Sequence, residues 1–416
     1  MRRPSSRTVL GTLFLTVFLD LVGFGIVIPV FAPLFLGTNS PFFEGVENPA
    51  YRGVLYGMLL SAFPIAQFFG APMLGALADR HGRRPLLLLS VAGTGLGYLL
   101  AGWSVLTHSY WLLLVSRILD GFTGGNISVA QSAIADVSDA QSKTRNFGLI
   151  GMAFGLGFVL GPFLGGILSD ASVHPLFSHA MPFWFAAGLS FFTLLSIIFL
   201  LPETLHTRIA SNVSWLTGIR NVSKAFRMEH LRTILLVGFL LTLGFTFFTQ
   251  FFQVFLVQRF SFGERDIGNI FAYIGLWIAA SQGLITRPLS HRFSPAQTVR
   301  FSMLLLGCTL PLLVLPQEIL WLYGILPFVA IFQGLTHPNV TALVSNVTGA
   351  ESQGEALGIN QSLQSIAMAL PPLIAGSLAA EHPQVPIILG GLVILSGWIV
   401  FLTCWRTALH KKFHEV

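Results

Sequence analysis

Apolar residues in this chain come in long unbroken blocks rather than in the short alternating runs of a β-barrel. Blocks of about 20 or more such residues fall near positions 8–36, 53–78, 85–106, 109–135, 146–169 and 181–201. A polar stretch occupies 203–230. A second set follows near 232–258, 267–289, 297–316, 319–346, 356–380 and 384–407. Each block is long enough to cross a bilayer as a helix at 1.5 Å per residue. The pattern predicts an all-α integral membrane protein with twelve transmembrane helices. Residues 1–202 form one six-helix bundle, 203–230 a cytoplasmic linker, and 231–416 a second bundle.

Composition strengthens this reading. Of the 416 residues, 53% are hydrophobic and 10% charged, and the mean hydropathy is +0.74; soluble domains carry roughly 25% charged residues. The net charge of +6 is explained by topology, without nucleic acid. With the N-terminus inside, the even-to-odd turns hold Arg80, Arg83 and Arg84; Lys143 and Arg145; Arg220, Lys224 and Arg227; and Arg287 and Arg292. The opposite side holds Arg52, Arg259 and Arg265. That bias places both termini in the cytoplasm. The turn at Thr348–Glu355 is an exception, with only Glu351 and Glu355. Arg2 and Arg3 precede the run from Val9 to Leu36, which is too long for a cleaved signal and is read as the first span. Cys308 and Cys404 lie in apolar runs without metal-ligand spacing.

The two halves carry traces of duplication. Leu77-Ala-Asp79-Arg80 parallels Leu289-Ser-His291-Arg292, Asn126 parallels Asn339, Gly148 parallels Gly358, and Pro162 parallels Pro372. Parallel six-helix repeats with a site near the midplane characterise one large transporter class.

Two motifs stand out. The first is Gly75-Ala-Leu-Ala-Asp79-Arg80-His-Gly82-Arg83-Arg84, between the second and third spans. Gly75 and Gly82 would permit close helix approach and a tight turn. Asp79 would cap a helix or pair with an Arg, and the three arginines would anchor the turn at the headgroups. The second is Gly148-x8-Gly157-x3-Gly161-Pro162-x2-Gly165-Gly166 in the fifth span, where small residues admit a neighbouring helix and Pro162 removes one backbone hydrogen bond. The first resembles the loop signature of the major facilitator superfamily, and the second that of its antiporters. Asp20-x2-Gly23-x5-Pro29, Ala133-Ile-Ala-Asp136, Arg145-x-Phe147-Gly148 and Leu201-Pro-Glu203-Thr204 are similar to its tetracycline-exporter-like branch. The resemblance implies a drug:proton antiporter of the inner membrane, with the Gly75–Arg84 loop as a conformational latch. It also implies that Arg117-x3-Gly121-x2-Gly124-Gly125 ties Arg117 to proton transfer. Gly97 departs from that branch, whose tetracycline exporters carry an aspartate there, and this puts tetracycline in doubt.

Charge inside a span is costly and marks function by default. Asp20 lies ~18 Å from one face and Arg117 ~12 Å from the other, counting 1.5 Å per residue. At those depths they are expected to face each other, with Asp120 one turn from Arg117 and able to share it. These three are the candidate proton-coupling groups. Asn126, Gln250, Gln253, Gln333 and Gln361 are the candidate substrate-binding amides, set among aromatic side chains suited to flat amphiphiles. No Walker loop, nucleophile elbow or HExxH site occurs, so ATP-driven transport and intramembrane hydrolysis lack their groups. The expectation is a monomer without metal or cofactor, whose partners are protons, the lipid bilayer and a small amphiphilic substrate that it exports by alternating access. The rival readings are a proton-coupled importer or facilitator of a metabolite, and a non-transporting receptor on the same fold.

Overall fold

The computed structural model describes residues 6–37, 40, 42, 48–138, 143–205, 214–228, 231–290, 292–347 and 353–414. Its described elements run, in order, α1 (Ser6–Ile26), α2 (Ile28–Leu36), α3 (Pro49–His81), α4 (Arg83–Leu106), α5 (Tyr110–Thr123), α6 (Asn126–Asp136), α7 (Lys143–Ser169) and α8 (Met181–Leu200). The short α9 (Thr217–Arg227) precedes α10 (Arg232–Phe260) and α11 (Glu264–Ala280). A π-helical turn (Ser281–Thr286) joins α11 to α12 (Arg287–Ser290), and α13 (Pro295–Leu312), α14 (Ile319–Val347), α15 (Gln353–Glu381) and α16 (Gln384–His414) complete the chain. The fold is the all-α membrane architecture expected.

Among the described residues, 10 helices are long and apolar enough to cross a membrane. The predicted fourth and ninth spans are not among them. The fourth is divided into α5 and α6 at Gly124-Gly125, and it carries Arg117, Asp120 and Asp136. The ninth is α13, of 18 residues, with a polar first turn. The first span is also interrupted, between Ile26 and Ile28, where Pro29 opens α2.

Two compact units emerge. One comprises Met1–Glu47, Ala62–Thr217 and Phe262–Gly275; the other Asn48–Ser61, Gly218–Ser261 and Leu276–Val416. Thus the first turns of α3 group with the later helices, and most of α11 groups with the earlier ones. Within the first unit, α1 packs on α7 and α8, and α4 on α5 and α8. Within the second, α10 packs on α15 and α16, and α13 on α14 and α16. Counting spans from one to twelve, these are the same four pairings shifted by six, so duplication is visible in packing as well as in sequence.

The core of the first unit follows from helix periodicity. Val9, Leu13, Val17 and Leu21 recur every fourth residue along one face of α1 and are buried. They meet Leu74 and Ala78 of α3, Leu87 and Val91 of α4, Ala130 and Ala133 of α6, and Ala153 of α7. In the second unit a ladder of rings runs down α10, with Phe248 and Phe252 centroids 4.9 Å apart.

The fifth span shows why its glycines are needed. Gly157, Gly161 and Gly165 form one ridge of α7 against α1: a Cβ on Gly157 would stand 2.7 Å from that of Leu21, one on Gly161 2.7 Å from the Gly25 Cα, and one on Gly165 would strike the Ile26 carbonyl. Gly166 turns to α11, where a Cβ would lie 2.7 Å from the Glu264 carbonyl oxygen and 3.1 Å from the Gly268 Cα. Pro162 sits within the continuous helix and offers its carbonyl side to Gly268. A larger residue at any of these four glycines would force helices apart. The surroundings of Gly148 lie outside the described residues.

Candidate functional site

The loop between the second and third spans is a junction with two other segments, α6 and the end of α8. Gly82 has φ +112°, a backbone conformation that side chains strongly disfavour, and a Cβ there would strike the Glu203 carboxylate. It ends α3 and starts α4 without a side chain of its own to cap the new helix. Glu203, from just beyond α8, does so instead: Oε1 accepts from the Arg83 N–H at 2.8 Å, and Oε2 from the Arg84 N–H at 3.2 Å. A carboxylate on the first N–H groups also complements the helix dipole. The same Oε1 accepts from the N–H of Thr204 and of Leu205, which fixes the chain leaving α8.

The Arg83 side chain is buried and forked between two carboxylates. Nη1 donates to Asp79 Oδ1 at 2.6 Å and Nε to Asp136 Oδ2 at 3.1 Å. A planar guanidinium suits such a two-way bridge where a lysine would not. Arg84 donates to the Ile198 carbonyl at 2.7 Å, whereas Arg80 is exposed. Gly75, expected to permit close approach, has no atom of a neighbouring helix among the described residues within 4 Å of where a Cβ would stand. That expectation is corrected: space beside Gly75 is open, and the crowding is at Gly82. In the sequence Asp136 and Glu203 stand only as parts of motifs. Their sequence distance from Arg83, 53 and 120 residues, concealed the contacts.

Deeper in the same unit, Arg117 is buried and pairs through Nη1 with Asp120 Oδ2 at 3.0 Å. Its guanidinium lies 5.5 Å from the ring centre of Tyr98 and 6.0 Å from that of Phe31. Among the described residues, Nε and Nη2 have no hydrogen-bond partner. The expected facing of Asp20 and Arg117 is not a direct pair among the described residues. The (i, i+3) spacing lets Asp120 reach Arg117 on its own helix, with no need to cross the bundle. Asp20, half-buried, instead faces the Asn126 amide, with Asp120 and Tyr98 also within electrostatic range. Asn126 itself is buried, and among the described residues neither polar atom of its amide has a hydrogen-bond partner of good geometry. A Cβ at position 97 would stand 3.0 Å from the Asp120 Cβ, so Gly97 leaves the room that Asp120 occupies. The tyrosine that completes the cluster carried no charge signal in the sequence.

The remaining amides belong to the second unit. Gln253 and Gln333 are buried and, among the described residues, each has an unpartnered Oε1; Gln253 donates to the Gln250 carbonyl at 3.3 Å. The Tyr56 hydroxyl, from the first turns of α3, reaches that carbonyl at 3.5 Å. Gln250 is half-buried and Gln361 exposed. Unpaired buried polar atoms cost about 1–3 kcal/mol each, and bound ligand or water would relieve that cost. Among the described residues no group of His, Cys, Asp and Glu could hold a metal ion.

The family model of the Major Facilitator Superfamily matches residues 13–372 and 267–412. The chain belongs to this superfamily. It is 31% identical over 402 residues to the class E tetracycline resistance protein of Escherichia coli, covering 96% of this chain and 92% of that protein. It is 30% identical to Major facilitator superfamily domain-containing protein 10 of Mus musculus, covering 91% and 88%. The crystal structure of the human organic anion transporter MFSD10 (TETRAN) superposes with a TM-score of 0.74 at 27% identity, covering 96% of this chain and all of that one. Membership in this superfamily makes the chain a multi-pass membrane transporter, and the buried charges of its first unit stand in a transport protein.

Proposed function

We propose that the protein exports a small amphiphilic compound in exchange for protons. One observation carries this reading: Arg117 is buried with one nitrogen on Asp120 and two unpaired, in a cluster that also holds Asp20. A guanidinium in that condition can accept a second carboxylate. An aspartate whose ionisation depends on whether an arginine is beside it is what coupling a proton to a conformational change requires. In this scheme Asp20 competes with Asp120 for Arg117, binds a proton when it loses, and releases it when it wins. The Asp79–Arg83–Asp136 bridge with Glu203 favours one conformation until the cycle breaks it. Within the first unit Asn126 offers a polar substrate its unpartnered amide; within the second, Gln253 and Gln333 each offer an unpartnered Oε1. Gln250 and Gln361 provide more accessible amides.

Tetracycline belongs among the first compounds to try. Several relatives are named tetracycline resistance proteins, and Asp120 presents a carboxylate from α5 beside the position, 97, where the resemblance expects one. Drug susceptibility in an efflux-deficient host tests the proposal, with Asp20→Asn and Asp120→Asn as controls. Raised tolerance that Asp20→Asn abolishes at normal expression is expected. Tolerance unaffected by Asp20→Asn, or by collapse of the proton gradient, would sink it.

A further inference from the structure

At the opposite end of α7 from the Arg83 junction, two charged contacts join the α7–α8 loop to the first turn of α11. His179 Nε2 lies 2.7 Å from Glu264 Oε1, and Arg265 Nη1 lies 3.9 Å from Asp170 Oδ2. The backbones beneath are in close contact, because Gly166 and Gly268 bring α7 and α11 together without intervening side chains. The loop is itself well ordered: Ser178 N–H donates to the Leu168 carbonyl, and the Asp170 carboxylate accepts from the Ser172 N–H. All of these residues lie within the first unit.

We propose that His179 and Glu264 form a proton-operated clasp, in which the protonated imidazole fastens the start of α11 to the α7–α8 loop and loss of the proton frees it. The position of the clasp gives it leverage. The glycine-lined backbones pack closely, and the polar pairs add a hold at the solvent end of that contact that depends on charge. The other charged and titratable groups nearby are already engaged. Asp170 and Arg265 face each other, and Asp266 accepts from the Gly263 N–H. His174 accepts from the Leu176 N–H. Neither α7 beyond Arg145 nor α8 contributes any charged residue. Glu264 is therefore the group to which His179 responds, and its hydrogen bond raises the imidazole pKa above the ordinary value against the opposing effect of burial. A raised folded-state pKa means that the tie is fully present below the ordinary imidazole range. It is lost as pH rises through the raised value. Acid on that face thus holds α11 in place.

The test needs no substrate, so it stands or falls separately from the transport reading. In the full-length protein with Cys308→Ser and Cys404→Ser, Ile267→Cys places a thiol on a buried position of α11. Its rate of maleimide labelling is compared with and without His179→Gln, which cancels the intrinsic pH dependence of the thiol. At about pH 6 the Gln variant should label roughly threefold faster, the size expected of a solvent-accessible pair, and the ratio should approach one near pH 8.5. His179→Lys, which stays charged, should label slowly across the range. A ratio that does not change with pH, or a Lys variant as fast as the Gln variant, would overturn the clasp. Histidine NMR gives a second readout: the His179 titration should fall to an ordinary value in Glu264→Gln, and a titration unchanged by that substitution would also overturn it.

Discussion

The turns before α4 and before α13 occupy corresponding places in the two repeats, yet they hold their helices in opposite ways. The helix after the second turn caps itself: Ser294 Oγ accepts from the Gln297 N–H, and Gln297 Oε1 accepts from the Ser294 N–H, at 3.3 and 2.9 Å. This capping box needs nothing beyond its own four residues. The helix after the first turn has no cap of its own and borrows Glu203 from beyond α8, while Arg83 reaches back to Asp79 and across to Asp136. His291, which stands where Asp79 would be, lies outside the described residues. The difference teaches that duplication conserved the helices but not the job of the turn between them. One turn is a local stop and start; the other is a tertiary junction that cannot open without disturbing α3, α6 and the end of α8 together.

The most severe way to break the comparison is Gly82→Ala. The substitution meets both a disfavoured backbone angle and the Glu203 carboxylate. It should cost about 2–4 kcal/mol. A lower unfolding midpoint in detergent, with transport lost, is the expected result. A stability equal to the parent would mean that the turn has another accessible conformation, and that Glu203 is not held against it.

Next comes Arg83. Removing its side chain leaves Asp79 and Asp136 facing each other without a cation. Both carboxylates keep some exposure, 38% and 22%, so solvent screening limits the cost to about 1–3 kcal/mol. Arg83→Lys preserves the charge but not the fork and should recover less than half of the loss. Full rescue by lysine would reduce the bridge to simple charge neutralisation. Asp79→Ala should likewise impair cycling more than His291→Ala, and equal effects would erase the asymmetry between the two turns.

What could be read from residues alone divides along the same line. Long apolar blocks carry their meaning locally, so ten of the spans and their order were legible among the described residues. So was the Gly157–Gly161–Gly165 ridge, since (i, i+4) spacing puts its members on one helix face. The break of the fourth span was not, because the glycines at 124 and 125 sit inside one apolar block and entered the reading only through the motif that contains Arg117. Nor was the pairing of Arg117. Depth arguments place residues along the membrane normal and say nothing of rotation about a helix, so they set Asp20 opposite Arg117 and left Asp120 as a residue that could share it. Glu203 is the clearest omission. A cap supplied from 120 residues away leaves no periodicity, spacing or composition signal.

The smallest effect sharpens the comparison most, because it asks how far each disturbance spreads. Ser294→Ala removes one capping acceptor and should cost about 1 kcal/mol or less. Glu203→Ala removes an acceptor for the N–H groups of Arg83, Arg84, Thr204 and Leu205, and it should cost about 1–2 kcal/mol. The totals overlap, so stability alone will not separate the two. Hydrogen exchange resolved by segment will. The Ser294 variant should lose protection only in the first turn of α13, around Gln297 and Thr298. In the Glu203 variant exchange should quicken at the start of α4 and at Thr204 and Leu205 together, two segments far apart in the chain. If Glu203→Ala loosens α4 alone, the carboxylate is an ordinary cap that happens to be distant. The junction would then consist of Arg83 and its two aspartates without the end of α8.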